Sequence, residues 1–188
     1  MITKYVLLPV FFSILLISCS KNESGTNPPA ETPSIEDWSF HNDSTKYSIT
    51  ASGPTDTMKV GTTFDIKLIL YNVSSVFSCA LEMNYVDSVV NVTSVILGPF
   101  FDNDSVIVLQ KIEPGLGRIS FGATYKAGKT LSSQPRSGII AKLKCRTVAQ
   151  GTAAFSFNSG KFQILTSTGG TIPNYYTFRR ENLTVFVR

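Results

Sequence analysis

The single histidine, His41, lies at the end of a polar, proline-containing stretch. A Ser-His-Asp or Cys-His arrangement would therefore draw its base from a segment with no pattern to hold it in place. Neither a C-x-x-C pair nor a second histidine offers a zinc site, and no glycine-rich loop between a strand and a helix offers a phosphate cradle. Paired carboxylates for glycoside hydrolysis would have to come from Glu82, Asp87, Glu113 or loop acids, and no spacing sets one opposite another. Asp102-Asn103-Asp104 is an oxygen-rich cluster of the kind hard cations favour, but a solvated turn is the better account of it. No catalytic residue, metal or cofactor is expected from these patterns. What remains is the chemistry of contact: Tyr175, Tyr176 and Phe178, followed by Arg179 and Arg180, are rings on which sugars can stack or which cover a domain edge.

Cys19 carries a different chemistry. Met1 to Lys4 bear one positive charge, and Tyr5 to Ile17 are apolar apart from Ser13, the outline of a signal peptide. About 13 residues at helical rise cover about 20 Å, short of the roughly 30 Å hydrocarbon core, so a spanning helix is disfavoured. Leu16-Ile17-Ser18-Cys19 resembles the bacterial lipobox, which implies that Cys19 receives diacylglycerol and becomes the N-terminus. Acyl chains at about 0.8 kcal/mol per buried methylene hold a protein on a membrane with no spanning segment. Ser20 after Cys19 favours outer-membrane or cell-surface display of an exported protein.

The elements that must position any site begin well after this signal. From Ser20 to about Thr45 the chain is rich in Ser, Asn, Thr, Pro and Glu and reads as a tether, interrupted at its end by Trp38, Phe40 and His41, which either pack onto the domain edge or stay exposed. The expected organisation is residues 1–18 as signal, 19–45 as flexible tether and 46–188 as one domain. Losing Lys4 with the signal takes 17 basic residues to 16 against 13 acidic, a charge near +3. With no basic run beyond Arg179-Arg180, nucleic acid is not an expected partner.

Beyond Tyr47 the sequence breaks into short runs rich in Val, Ile, Thr, Phe and Tyr, punctuated by Gly, Asn, Asp and Pro. That pattern predicts an all-β, two-sheet β-sandwich of about nine strands. Phe64, Ile66, Leu68 and Leu70 alternate with Asp65 and Lys67; Leu81, Met83 and Tyr85 alternate with Glu82 and Asn84; Ile119, Phe121 and Ala123 alternate with Ser120, Gly122 and Thr124. A period of two buries one flank of each strand. The same parity turns Cys79 and Cys145 inward, where they either form a disulfide between sheets or stay as buried thiols. Lys126 to Arg136 and Ser167 to Arg180 are read as loops.

The order of the runs over Tyr47 to Val187 resembles the cohesin modules of bacterial scaffolding proteins, jelly rolls related to cellulose-binding modules. Val60-Gly61-Thr62-Thr63-Phe64, Ala80-Leu81-Glu82-Met83-Asn84-Tyr85, Gly117 to Thr124, Gly138 to Leu143 and Gly151-Thr152 before Phe155-Ser156-Phe157 carry the likeness. Tyr85 is followed by Val86-Asp87-Ser88, where the family commonly has Asp-Pro. The resemblance implies jelly-roll topology and a non-catalytic module. It also implies that residues 79–85, 106–112, 118–124 and 152–157 form a sheet face docking a dockerin, a small calcium-binding helical domain. Its outward residues would be Ala80, Glu82, Asn84, Ser120, Gly122, Thr124, Thr152, Ala154 and Ser156, which are equally what the solvated side of any sandwich would show. Polysaccharide binding through Tyr175, Tyr176 and Phe178 is the alternative.

Overall fold

A computed structural model describes residues 36–102, 105–128, 130–172 and 175–188. Residues 1–18, read as a signal peptide, Cys19, the stretch up to residue 35 read as tether, and Asn103 and Asp104 of the acidic cluster lie outside the described residues. Eleven strands follow one another: β1 (Ser48–Ser52), β2 (Thr63–Val73), β3 (Ser78–Asn84), β4 (Val90–Leu97), β5 (Val106–Glu113), β6 (Arg118–Tyr125), β7 (Arg136–Thr147), β8 (Gly151–Phe157), β9 (Gln163–Leu165), β10 (Arg179–Glu181) and β11 (Leu183–Val187). They form two sheets, β10-β1-β2-β7-β4 and β11-β8-β3-β6-β5, with β9 also paired to β3. From β2 to β8 the chain passes repeatedly between the sheets, the two-sheet sandwich that the pattern predicts in the jelly-roll form that the resemblance implies.

The strand count differs from about nine. At the end of the stretch read as a loop, Ser167 to Arg180, a strand Arg179–Glu181 runs parallel to β1, and its polar residues leave no alternation to read. Glu181 holds it in place by accepting from Lys46 Nζ and Thr50 Oγ1, each at 2.8 Å.

Alternation places the core between the layers. Ile66, Leu68 and Leu70 of β2 and Ala141 and Leu143 of β7 meet Leu81 and Met83 of β3, Ile119 and Phe121 of β6 and Phe155 of β8, all in one buried cluster. Past Leu68 the run is apolar on both flanks, and the structure shows why. Ile69, Tyr71 and Ile139 form a second cluster on the outer side of the first sheet, covered by Trp38 and Phe40. Residues 37–45, read from the sequence as the end of the tether, are thus a strap on the domain. Lys67 Nζ reaches Asp37 Oδ2 and the Ser39 carbonyl at 2.7 Å each, and the Tyr71 hydroxyl donates to the His41 carbonyl at 3.0 Å. Lys142, wholly buried, places its ammonium 4.3 Å from the centre of the Trp38 ring and 3.6 Å from Asp65 Oδ2.

Cys79 and Cys145 do face the core from opposite sheets, but they are free thiols, and the bridge that parity allowed is not formed. Cys145 Sγ donates instead to the Leu143 carbonyl at 3.7 Å. Burial pushes the Cys79 thiol up to about 12, and burial, reinforced by Asp65, pushes Cys145 up as well.

Two outcomes follow from this packing. Trp38→Ala should lower the unfolding free energy in urea by about 2 kcal/mol, through lost ring burial and the uncovered Lys142 ammonium; a change below about 0.5 kcal/mol would mean that the strap does not hold. Between the ordinary thiol value of 9.0 and the raised ones, the native state keeps protons that the unfolded chain releases. Stability should then be full below about pH 9 and fall above it, by up to about 1.4 kcal/mol per pH unit for each thiol. Urea titrations across that range should show a shallower fall in the Cys79→Ala/Cys145→Ala double variant, and equal falls would contradict buried free thiols.

Candidate functional site

The outer surface of the β11-β8-β3-β6-β5 sheet carries the nine residues singled out from the sequence, on the flank opposite the core. Register brings seven of them into one patch: Ala80 lies across from Gly122, Glu82 across from Ser120, and Thr124 across from Ser78. Asn84 faces Arg118 on one side and Ser156 on the other. Thr152 and Ala154 sit farther out, because β8 pairs with β3 only at Phe157 and Ser156 and then runs beside β11, with Ala154 across from Thr184 and Thr152 across from Phe186.

Strand β5 extends the patch beyond the residues named from the sequence. Ile107 pairs with Thr124, Leu109 with Gly122 and Lys111 with Ser120. Leu109 is 72% exposed and Ile107 50%, which is unusual for aliphatic side chains in regular strands. The signal that finds them is parity: the outward flank of β6 fixes which flank of β5 lies level with it.

Gly117 ties the hairpin between β5 and β6 to the end of β3. Its carbonyl accepts from the Tyr85 amide at 2.7 Å, its φ is +56°, and a Cβ there would collide with the Tyr85 carbonyl oxygen. Gly122 is different in kind, since a Cβ at that position would meet nothing closer than 3.9 Å. Its missing side chain opens a depression of about 320 Å³ between Leu109, Lys111 and Ser120.

Charges on the face are internally matched. Lys111 Nζ lies 2.7 Å from Glu113 Oε1, and Arg118 Nη2 lies 2.7 Å from Glu113 Oε2. Arg118 Nε is 3.8 Å from Glu82 Oε2, and Asn158 Nδ2 donates to Glu82 Oε1 at 2.8 Å. Hydrogen bonds from Lys111 and then Arg118 hold the Glu113 carboxyl below its ordinary range. Two cations and two carboxylates cancel, and both acids are engaged in structural pairs. Among the described residues no group of three or more His, Cys, Asp or Glu is placed to hold a metal. A larger depression of about 680 Å³ lies on the opposite sheet, where Asp65 is already paired to Lys144 at 3.1 Å.

The aromatic loop is not the platform the sequence allowed. Phe178 is buried, 5.6 Å from Phe162 in a stack and 5.1 Å edge-on from Tyr47. Tyr175 is half-buried, its hydroxyl donating to the Phe162 carbonyl at 2.8 Å. Tyr176 alone of the three is fully exposed. Aromatic content cannot tell edge-covering rings from displayed ones, and here Phe178 serves the core.

A sandwich of this topology with one open, neutral sheet face defines a class of binding module, and the comparisons identify it. The family model for the cohesin domain matches residues 49–172, and the chain belongs to that family. Among solved structures, a type II cohesin domain from the cellulosome of Acetivibrio cellulolyticus superposes with a TM-score of 0.61 at 14% identity, over 74% of this chain and 95% of that one. A non-cellulosomal cohesin from the archaeon Archaeoglobus fulgidus gives 0.57 at 18% identity, over 76% and 91%. The third cohesin ScaC of Acetivibrio cellulolyticus, solved in complex with the ScaB dockerin, gives 0.60 at 12% identity, over 74% and 97%. No curated protein matches the sequence.

Proposed function

We propose that this chain is a non-catalytic cohesin module that recruits a protein partner of dockerin type through the outer face of β8, β3, β6 and β5, and that Cys19 anchors it by lipid to the outer membrane or cell surface. The observation that carries the reading is the make-up of that face: small outward groups at Ala80, Ser120 and Gly122, bordered by exposed Leu109, with Lys111 and Arg118 matched to Glu113 and Glu82. Such a surface loses little side-chain entropy on docking and leaves no unpaired charge to desolvate, which are the two main costs of association. That a relative of the same fold was solved with a dockerin on it supports the class of partner. The lipid anchor rests on the run from Met1 to Cys19.

Polysaccharide binding keeps one observation in its favour, the fully exposed ring of Tyr176. A single ring is a poor platform by comparison with the sheet face.

The test begins with dockerin modules encoded in the same genome, titrated against the domain from Glu36 onward. Gly122→Leu should weaken binding by about 30-fold or more, since it fills the depression at the centre of a close-packed interface, while its melting temperature stays that of the parent. Retained affinity in a folded variant would sink this face as the docking surface. Because the face is charge-compensated, Kd should change by less than about threefold between about 0.05 and 0.5 M salt. A steep loss of affinity with salt would show that unpaired charges elsewhere drive binding.

A further inference from the structure

Among the described residues eight large apolar side chains stand exposed, and five of them gather at one end of the sandwich: Val60, Val86, Leu116, Val148 and Phe186. Each sits where the chain turns or a strand runs out. Val60 precedes β2, Val86 follows β3, Leu116 lies in the turn from β5 to β6, Val148 follows β7, and Phe186 is next to last in β11. Antiparallel pairing brings these positions to the same end, with Thr63 across from Arg146, Val90 across from Thr147, Asn84 across from Arg118 and Val187 across from Gly151. Backbone hydrogen bonds then join the turns into a rim. The Tyr85 amide donates to the Gly117 carbonyl at 2.7 Å, Val148 to Val89 at 2.8 Å, Gly61 to Thr147 at 3.0 Å and Val60 to Arg188 at 3.3 Å.

Single exposed aliphatic residues are ordinary, but a set of them gathered on paired turns at one end marks a contact surface. Lys59, Arg146 and Arg188 stand exposed on the same turns and strand ends. Of the acids there, Glu113 is engaged by Lys111 and Arg118, and Asp87 is half-buried. Aliphatic tips among cations suit the boundary between acyl chains and anionic headgroups. The strap shows which end of the domain lies toward the N-terminal stretch. Asp37 meets Lys67, the His41 carbonyl meets the Tyr71 hydroxyl, and the Ser44 carbonyl accepts from Asn72 Nδ2 at 3.1 Å. The strap therefore runs in the same direction as β2, and its first residue lies toward Thr63, at the rim end. Residues 19–35 span at most about 60 Å when fully extended, so a lipid on Cys19 would keep the rim within that reach of a bilayer.

We infer that the rim of Val60, Val86, Leu116, Val148 and Phe186 rests in the headgroup layer of an anionic membrane, so that the domain stands on end. The strands β3, β6 and β5 then rise from the bilayer, and the outer face of their sheet opens to the side, clear of the lipid. This rests on the lipid anchor proposed for Cys19. A second copy of the chain would also cover the tips, but a two-fold contact sets the same patch against itself. It would bring Lys59, Arg146 and Arg188 of both molecules together, whereas anionic lipid gives them counter-charges.

The experiment uses the full chain expressed with its signal and recovered from membranes, carrying one added cysteine: Leu116→Cys, Val148→Cys or, before β7 at the opposite end, Ser133→Cys. Each variant, with parental melting temperature, is labelled with the environment-sensitive dye NBD and placed in vesicles of equal parts phosphatidylcholine and phosphatidylglycerol. Cys79 and Cys145 are buried and an acylated Cys19 has no free thiol, so the added cysteine takes the dye. Lipids brominated along the acyl chains should quench the dye at positions 116 and 148 by about half, because interfacial residues sit about 5–10 Å into the boundary, and should leave position 133 unquenched. Unquenched emission at 116 and 148, in protein whose Cys19 carries lipid by mass spectrometry, overturns the inference and leaves the anchor standing. Equal quenching at all three positions means that no end is preferred, and overturns it as well. A Cys19 without lipid overturns the anchor and the inference with it. A blue shift at position 148 that grows with protein concentration in the absence of vesicles assigns the rim to a second copy and also overturns the inference.

Discussion

Everything functional in this domain depends on parity. Cys79, Leu81 and Met83 point into the core, so Ala80, Glu82 and Asn84 must point out, and a slip of one residue would bury a carboxylate and expose a methionine. The cost of that exchange is what fixes the register of β3 against β6, and through β6 the register of β5. Gly117 reinforces it at the hairpin end, where only glycine meets both the positive φ and the close approach of the Tyr85 carbonyl. The face is thus a by-product of core burial, specified before any partner is present.

Alternation made most of this legible in the sequence. The inward and outward sets of β2, β3 and β6 follow from residue types alone, because each strand buries one flank and wets the other. Where both flanks are apolar the rule is silent. Ile69 and Tyr71 gave no sign of which element covers them, since Trp38 and Phe40 stand in a run otherwise polar enough to read as tether. In β5 the aliphatic residues stand on both flanks, and the register to Thr124 and Gly122 shows Ile107 and Leu109 facing out. For β10 the opposite holds, as Arg179, Arg180 and Glu181 offer no apolar residue to pattern. Parity could place two cysteines inward but could not say whether their sulfurs meet. Phe178 carried no mark to separate it from Tyr176, although one belongs to the core and the other to solvent.

The two outer surfaces of the sandwich are treated differently. One is closed by the N-terminal strap, which satisfies Lys67, Tyr71 and Lys142 and covers an apolar cluster. The other keeps its aliphatic side chains in water while its charges neutralise one another. Exposed apolar groups among matched charges are costly to leave uncovered and cheap to dock against, and the proposed docking on the second sheet rests on this asymmetry.

Single-cysteine labelling of the domain from Glu36 onward tests this most directly, because its native thiols, Cys79 and Cys145, are buried and stay silent. Ala80→Cys and Gly122→Cys on the proposed face, and Thr93→Cys on the opposite sheet, would each be exposed to a maleimide with and without the purified partner. The account requires all three to label in the free domain and the partner to protect positions 80 and 122 but not 93. Silence at 80 and 122 in the free domain, or protection at 93 alone, would contradict it.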